Sequence, residues 1–320
     1  MIPSAQAVQR IASHIKFRPG AIEKALRLLD LLTEINADPT LKGRLALKGG
    51  TALNMFHLDM PRLSVDIDLN YVASLDRSQV LRERSLIDDA ISKLLVSRGY
   101  AIRRVPRAHA GGKWSARFSS ALGGNGTLEV DVNYVNREPI FGMRKMDSCK
   151  VDGMQAFDIL VIDVHEIIAG KLVALVARNT GRDLFDACSI LEMGSLDWSW
   201  IRIAVLALGA SGRPDWRQVS IGAIERPDES LDKLAYCLKA GYLDDSGGVE
   251  AWLTRSLLTI RRQLSSLFDF SAGERLFLDA LLDHGEIDVR GLDINANVKE
   301  KLKAMPMLAW KAQHVRDAQR

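Results

Sequence analysis

The chain of 320 residues predicts a mixed α/β (α+β) fold followed by a helical C-terminal half. Three observations carry that prediction. Val65–Leu69 and Thr127–Val135 alternate apolar with acidic or polar residues, the period of a half-buried strand. Ala21–Asn36 and Ser78–Arg98 carry apolar residues at helical spacing. Beyond Asp163 the strand signal stops and long helical segments follow.

Ile22, Leu26, Leu29, Leu32 and Ile35 form one helical stripe, ended by Asp38-Pro39. Leu45-Ala46-Leu47 is a short apolar run, then Lys48-Gly49-Gly50-Thr51 makes a turn into a helix over Ala52–His57. After the Val65–Leu69 strand, Leu81, Leu86, Ile87, Ile91, Leu94 and Leu95 restore helical spacing. Tyr100–Val105 and Lys113–Ser119 read as two strands, and Gly123-Gly124-Asn125-Gly126 turns the chain into Thr127–Val135. There Leu128, Val130 and Val132 face one way, and Glu129, Asp131 and Asn133 the other. Helices are expected at Val164–Arg178, Asp183–Leu191, Leu231–Ala240, Val249–Phe268 and Ala272–His284, with breaks between Asp197 and Gly248. The partition is 1–157 for the α/β half and 158–320 for the helical half; strand order stays open.

Composition narrows the class. Hydrophobic residues make up 47% and charged residues 26%, as in soluble globular proteins. With 43 Lys+Arg against 40 Asp+Glu the net charge is only +3, so a polyanionic partner must be argued from local clusters. Cys149, Cys188 and Cys237 have no metal-type spacing, which suits a reducing compartment. No secretory signal is visible, and Ile201–Ala210 is too short to span a bilayer. A cytoplasmic protein is expected.

Three blocks could carry chemistry. Asp66 and Asp68 project from one strand face, their Cα atoms about 6.5–7 Å apart, so they can share a hard divalent cation. Asp131, on a second acidic strand, could complete a three-carboxylate site able to hold two metals. The plainer reading is a solvated sheet face. Gly49-Gly50-Thr51 lies between a strand and a helix, where glycine permits close backbone approach; a tight turn would need the same residues. No Gly-Lys-Ser/Thr follows, which excludes a P-loop, and no dinucleotide fingerprint is present. The third block is Lys171 among apolar neighbours, with Arg182, Asp183 and Asp186 on the next helix. Lys171 could reach a phosphate, or the group could be a salt-bridge network with Arg182 pairing Asp186.

Together, Lys48-Gly49-Gly50-Thr51-Ala52-Leu53, Arg62–Leu69 with Ser64, Asp66 and Asp68, then Lys171, then Arg182–Asp186 stand in one order. This set resembles the AbiEii/AbiGii nucleotidyltransferase toxin family of the DNA polymerase β-like superfamily, over about Ala46–Leu191. The gap from Gly50 to Asp66 is longer than in the most familiar polymerase β-like enzymes. The resemblance implies a polymerase β-like mixed sheet with flanking helices and a type IV toxin that transfers NMP from an NTP to an acceptor such as the tRNA 3′ end, blocking translation. It implies Mg²⁺ or Mn²⁺ on Asp66 and Asp68; Asp131 as a further ligand rests on the acidic alternation of its own strand. It also implies nucleotide contacts from Lys48, Gly49, Gly50, Thr51, Ser64, Lys171 and Arg182, and a late acid that is either Asp183 or Asp186. A separately encoded antitoxin is the expected partner, without a stable complex being required. Protein nucleotidylylation, or a non-catalytic NTP- or antitoxin-binding module, are the alternative functions.

Two basic clusters are candidate RNA surfaces. Arg103, Arg104, Arg107, His109, Lys113, Trp114 and Arg117 surround the strand pair; Lys299, Lys301, Lys303, Lys311, Arg316 and Arg320 close the chain. Solvated charge is the plainer reading of both.

Overall fold

The computed structural model describes residues 4–105, 111–227 and 231–319. The chain divides into two compact units. The first comprises 1–137, 143–162 and 234–242; the second comprises 138–142, 163–233 and 243–320.

The first unit opens with helices α1 (Ala5–Ile15) and α2 (Pro19–Ala37). Pro19 suits a helix start because its missing N–H would be unpaired there. The helix α2 buries Ile22, Leu26, Leu29 and Leu32 to 3% exposure or less, as its stripe predicts. Next come β1 (Leu45–Lys48), the short α3 (Gly49–Ala52) continued by a π turn over Leu53–His57, and β2 (Asp66–Tyr71). After α4 (Arg77–Ser97) follow β3 (Ala101–Val105), β4 (Gly111–Ser119), β5 (Asn125–Asn133), β6 (Met143–Met146) and β7 (Ile159–Ile162).

These strands form one mixed sheet in the order β3-β4-β5-β2-β1-β7-β6. The pairs β1–β2, β3–β4, β4–β5 and β6–β7 are antiparallel, whereas β2–β5 and β1–β7 are parallel. One sheet face is apolar: Leu47, Ile67, Leu69, Tyr71, Trp114, Leu128, Val130 and Val132 are at most 2% exposed. Burying that row fixes the register, because a slip by one residue would turn the carboxylates inward.

The second unit is helical. It contains α5 (Val164–Arg178), α6 (Gly181–Leu191) and α7 (Trp198–Ala210). Most of α8 (Asp232–Cys237) belongs to the first unit, where the Cys237 carbonyl accepts from the Leu63 amide. Beyond α9 (Tyr242–Asp245) come α10 (Val249–Leu264), α11 (Ala272–His284), α12 (Ala296–Ala304) and α13 (Pro306–Ala318). A capping box between Ser271 and Glu274 starts α11, and Gly285 in the left-handed region ends it.

Candidate active site

The outward face of the sheet in the first unit gathers charge in rows. Along β2, Asp66, Asp68 and Asn70 point away from buried Ile67 and Leu69. Register pairs Asp66 with Glu129, Asp68 with Asp131 and Asn70 with Asn133. On either side Lys48 pairs with Asp68 and Lys113 with Asp131. Lys48, Asp68, Asp131 and Lys113 therefore span β1, β2, β5 and β4 in one row, with two acids flanked by two cations.

That row shows in the protonation behaviour. Burial, then the neighbouring Asp68 charge, raises the Asp131 carboxyl above its ordinary range, and Lys48 and Lys113 only partly offset them. Lys113 sits 2.5 Å from Glu129. That hydrogen bond outweighs the effect of burial, and with the charges of Glu129, Asp131 and Asp66 it raises the ammonium.

Gly49 has φ +71°, and a Cβ there would run into the Asp68 carboxyl, with Cγ only 3.0 Å away. Here the glycine is required twice over, by its left-handed backbone and by contact with the acid. The chain after it is pinned to the start of β2. The buried Thr51 hydroxyl donates to the Asp66 carbonyl and shares a 3.0 Å hydrogen bond with the Ser64 hydroxyl. The Asn54 amide donates to the Gly50 carbonyl at 3.0 Å. Lys48, Gly49, Gly50, Thr51, Ser64, Asp66, Asp68 and Asp131 are thus neighbours in one unit.

The remaining expected residues lie in the second unit. Lys171, 8% exposed, meets Asp186, 0% exposed, at 2.8 Å. Asp183 accepts from both the Arg178 Nε and a terminal nitrogen at 2.8 Å, and from the Thr180 hydroxyl at 2.7 Å. Burial alone would raise the Asp183 carboxyl, but the Arg178 fork, the charges of Lys171 and Arg178 and the Thr180 hydroxyl together hold it below the usual range. Arg182 is half-buried on the same helix.

The basic clusters divide differently from the expectation. Arg104 turns to the apolar side, pairs with Asp88 and lies over the Trp114 ring. Trp114 is fully buried and its indole N–H donates to Ser92 at 2.9 Å, so it cannot stack on a base; that expectation is corrected by strand alternation. Arg103, Lys113 and Arg117 are exposed; Arg107 and His109 lie outside the described residues. In the C-terminal cluster Lys299, Lys301, Lys311 and Arg316 donate to backbone carbonyls, and Lys303 pairs with Glu300. Arg320 lies outside the described residues.

Asn70 was missed from sequence. It continues the Asp66-Asp68 row by two positions, and its buried side-chain oxygen has no hydrogen-bond partner among the described residues. The i+2 spacing was the available signal.

The donor set fits a hard cation. Among the described residues no group of three or more His, Cys, Asp or Glu side chains is placed to hold a metal ion, so Asp66, Asp68 and Asp131 do not form the expected three-carboxylate site. Mg²⁺ does not need one, since it is usually held by one or two carboxylates with water and substrate phosphate.

A mixed sheet carrying paired carboxylates on adjacent parallel strands, behind a glycine reversal, is the arrangement expected of a nucleotidyltransferase. The family described as nucleotidyl transferase AbiEii toxin, type IV toxin–antitoxin system, matches residues 30–236, and the chain belongs to it. It is a nucleotidyltransferase toxin of that system. Among solved structures it is similar to the nucleotidyltransferase toxin MenT4 of Mycobacterium tuberculosis H37Rv, at 20% identity and TM-score 0.57. That alignment covers 93% of this chain and 98% of the other, and at such identity it speaks for the fold. No curated protein matches. No helix among the described residues is long and apolar enough to cross a membrane.

Proposed function

We propose that the enzyme transfers NMP from an NTP to the 3′ end of tRNA in the cytoplasm, with Mg²⁺ or Mn²⁺ as cofactor, and so blocks translation. The observation that carries this reading is the Asp68–Asp131 pairing across β2 and β5, with Asp66 on the same face. An acceptor hydroxyl attacks the α-phosphorus in line; the new O–P bond forms as the bond to pyrophosphate breaks, and the hydroxyl proton passes to solvent. A bound divalent cation, held by Asp66 and Asp68 with Asp131 beside them, would neutralise phosphate charge and lower the pKa of the attacking hydroxyl.

The protein's own part is positioning and charge. Gly49 leaves room for the Asp68 carboxyl, and Thr51 ties the Asp66 backbone to the glycine segment. Ser64 and Lys48, flanking the acids, and Gly50 are assigned to the nucleotide. Lys171 is assigned to its phosphates and Arg182 to the nucleotide. Asp186, as the ion-pair partner of Lys171, is assigned the late acidic role. Asp183, enclosed by Arg178 and Thr180, then serves the turn between α5 and α6. A separately encoded antitoxin is the expected partner.

The test is incubation with α-labelled NTPs, Mg²⁺ and total tRNA. Wild type should label RNA, and Asp66→Ala should lower the rate by at least about 10³-fold, as expected when a charge-stabilising group is lost. Equal labelling by the two proteins sinks the assignment. Label on protein instead of RNA would move the acceptor to a protein hydroxyl.

A further inference from the structure

The basic residues around β3 and β4 are sorted by strand alternation into two sets, and only one shares a face with the carboxylates. Arg103 pairs with Ser115, which pairs with Glu129, which pairs with Asp66. Arg103 therefore stands in the Asp66 row, three strands away, about 14 Å at 4.7–4.9 Å per strand. Lys113 stands in the Asp68–Asp131 row. Arg117 pairs with Thr127, past the first residue of β2, about 13 Å along β4 from Lys113. Residues between them in β4 that point the other way, such as Trp114 and Ala116, are fully buried, so these three cations share the open side.

The state of the charges differs as well. Lys113 is held by Glu129. Arg103 and Arg117 are exposed and make no ion pair among the described residues. On the opposite face Arg84 and Arg104 are both committed to Asp88. Two unpaired guanidinium groups extending from an acidic centre suit a polyanion that must bring its end up to those acids.

We infer that the outward face of β3 and β4 seats the phosphodiester backbone of the acceptor strand, with Arg103 and Arg117 on successive phosphates and Lys113 at the edge of the reaction centre. This rests on the nucleic-acid acceptor proposed above. A protein hydroxyl would have no use for such a track.

Two measurements separate the inference from its parent reading. The first is binding of a fluorescent single-stranded RNA ending in a 3′ hydroxyl to the full chain carrying Asp66→Asn, followed by anisotropy across a KCl series. Adding Arg103→Ala and Arg117→Ala together should weaken binding at least tenfold. It should also flatten the plot of log affinity against log salt by about 1.4, at roughly 0.7 per single-strand phosphate contact. Lys93→Ala on α4, which removes an exposed charge away from this face, should change neither. The second is labelling of tRNA by the chain with intact carboxylates, where the arginine pair should act on acceptor KM and not on NTP KM. Unchanged affinity and slope, or an equal loss from Lys93→Ala, overturns the track while RNA labelling keeps the function. Weakened RNA binding in an enzyme that labels no RNA keeps the track and removes the acceptor reading.

Discussion

Two aspartates, buried Asp88 behind the sheet and half-buried Asp131 in front, have opposite surroundings. Asp88, behind the sheet on α4, receives a hydrogen bond from Tyr134 at 2.9 Å and the guanidinium groups of Arg104 and Arg84. Burial raises its carboxyl even so. Asp131, in front, is raised by burial and by a second carboxylate, and only the lysines at either end of the row oppose this. A charge with all its partners in place holds a structure together. An acid set against another acid stores a need for positive charge, which a metal and a substrate can meet.

Asparagine at each position should pull the two roles apart. Asp131→Asn is expected to lower transfer by about 10²–10³-fold. It should leave the urea midpoint unchanged or raise it, because a like-charge contact is removed. Asp88→Asn removes the carboxylate that Arg104 and Arg84 share and should cost about 3 kcal/mol, with activity per folded molecule retained. Should the stability loss appear at Asp131 and the activity loss at Asp88, the contrast is wrong.

A buried acid of the second unit, Glu166, sharpens the point. It accepts from the Ile140 amide at 2.7 Å and from Phe141, and burial lifts it from 4.5 to about 7. Between those values the unfolded chain is ionised while the folded one keeps its proton. Stability should therefore fall as pH rises from 4.5 to about 7 and level off above, by at most about 3 kcal/mol. Urea melts of Glu166→Gln should lack that decline; a parallel slope in both proteins would place the titration elsewhere.

The smallest effect is expected at Gly49. Alanine there should cost about 1–2 kcal/mol through its left-handed backbone. It should also slow transfer about 10–100-fold by displacing Asp68. Full activity with a lowered melting temperature would mean that the glycine serves only the turn.

Much of this was legible in the chain. Acidic alternation located β2 and β5, and the glycine pair located the reversal between β1 and α3, because strand period and backbone freedom are local properties. Strand order was not, since β5 reaches β2 only after α4, β3 and β4 intervene. The strands β6 and β7, four residues each, are too short to show a period. On α7, Ile201, Ile203, Ala204, Val205 and Leu206 are all buried, and a helix wrapped on most sides loses its stripe among the surrounding breaks. On α4 the expected stripe was partly misplaced: Leu81 and Leu86 are 58% and 61% exposed, and Val80, Ile87, Ile91 and Leu95 pack inward. Charge near the site was visible as a cluster, but only register could show which arginines face the acids.

The parallel insertion of β5 beside β2 has a consequence for synthesis. Lys48 and Asp68 can meet early as an antiparallel pair, but Asp131 joins them only after the intervening helix and two strands have left the ribosome. Nascent chains halted before Thr127 lack the third acid and the strand that carries it. The Asp68–Asp131 row therefore closes only once β5 has emerged and paired with β2 across a long sequence separation.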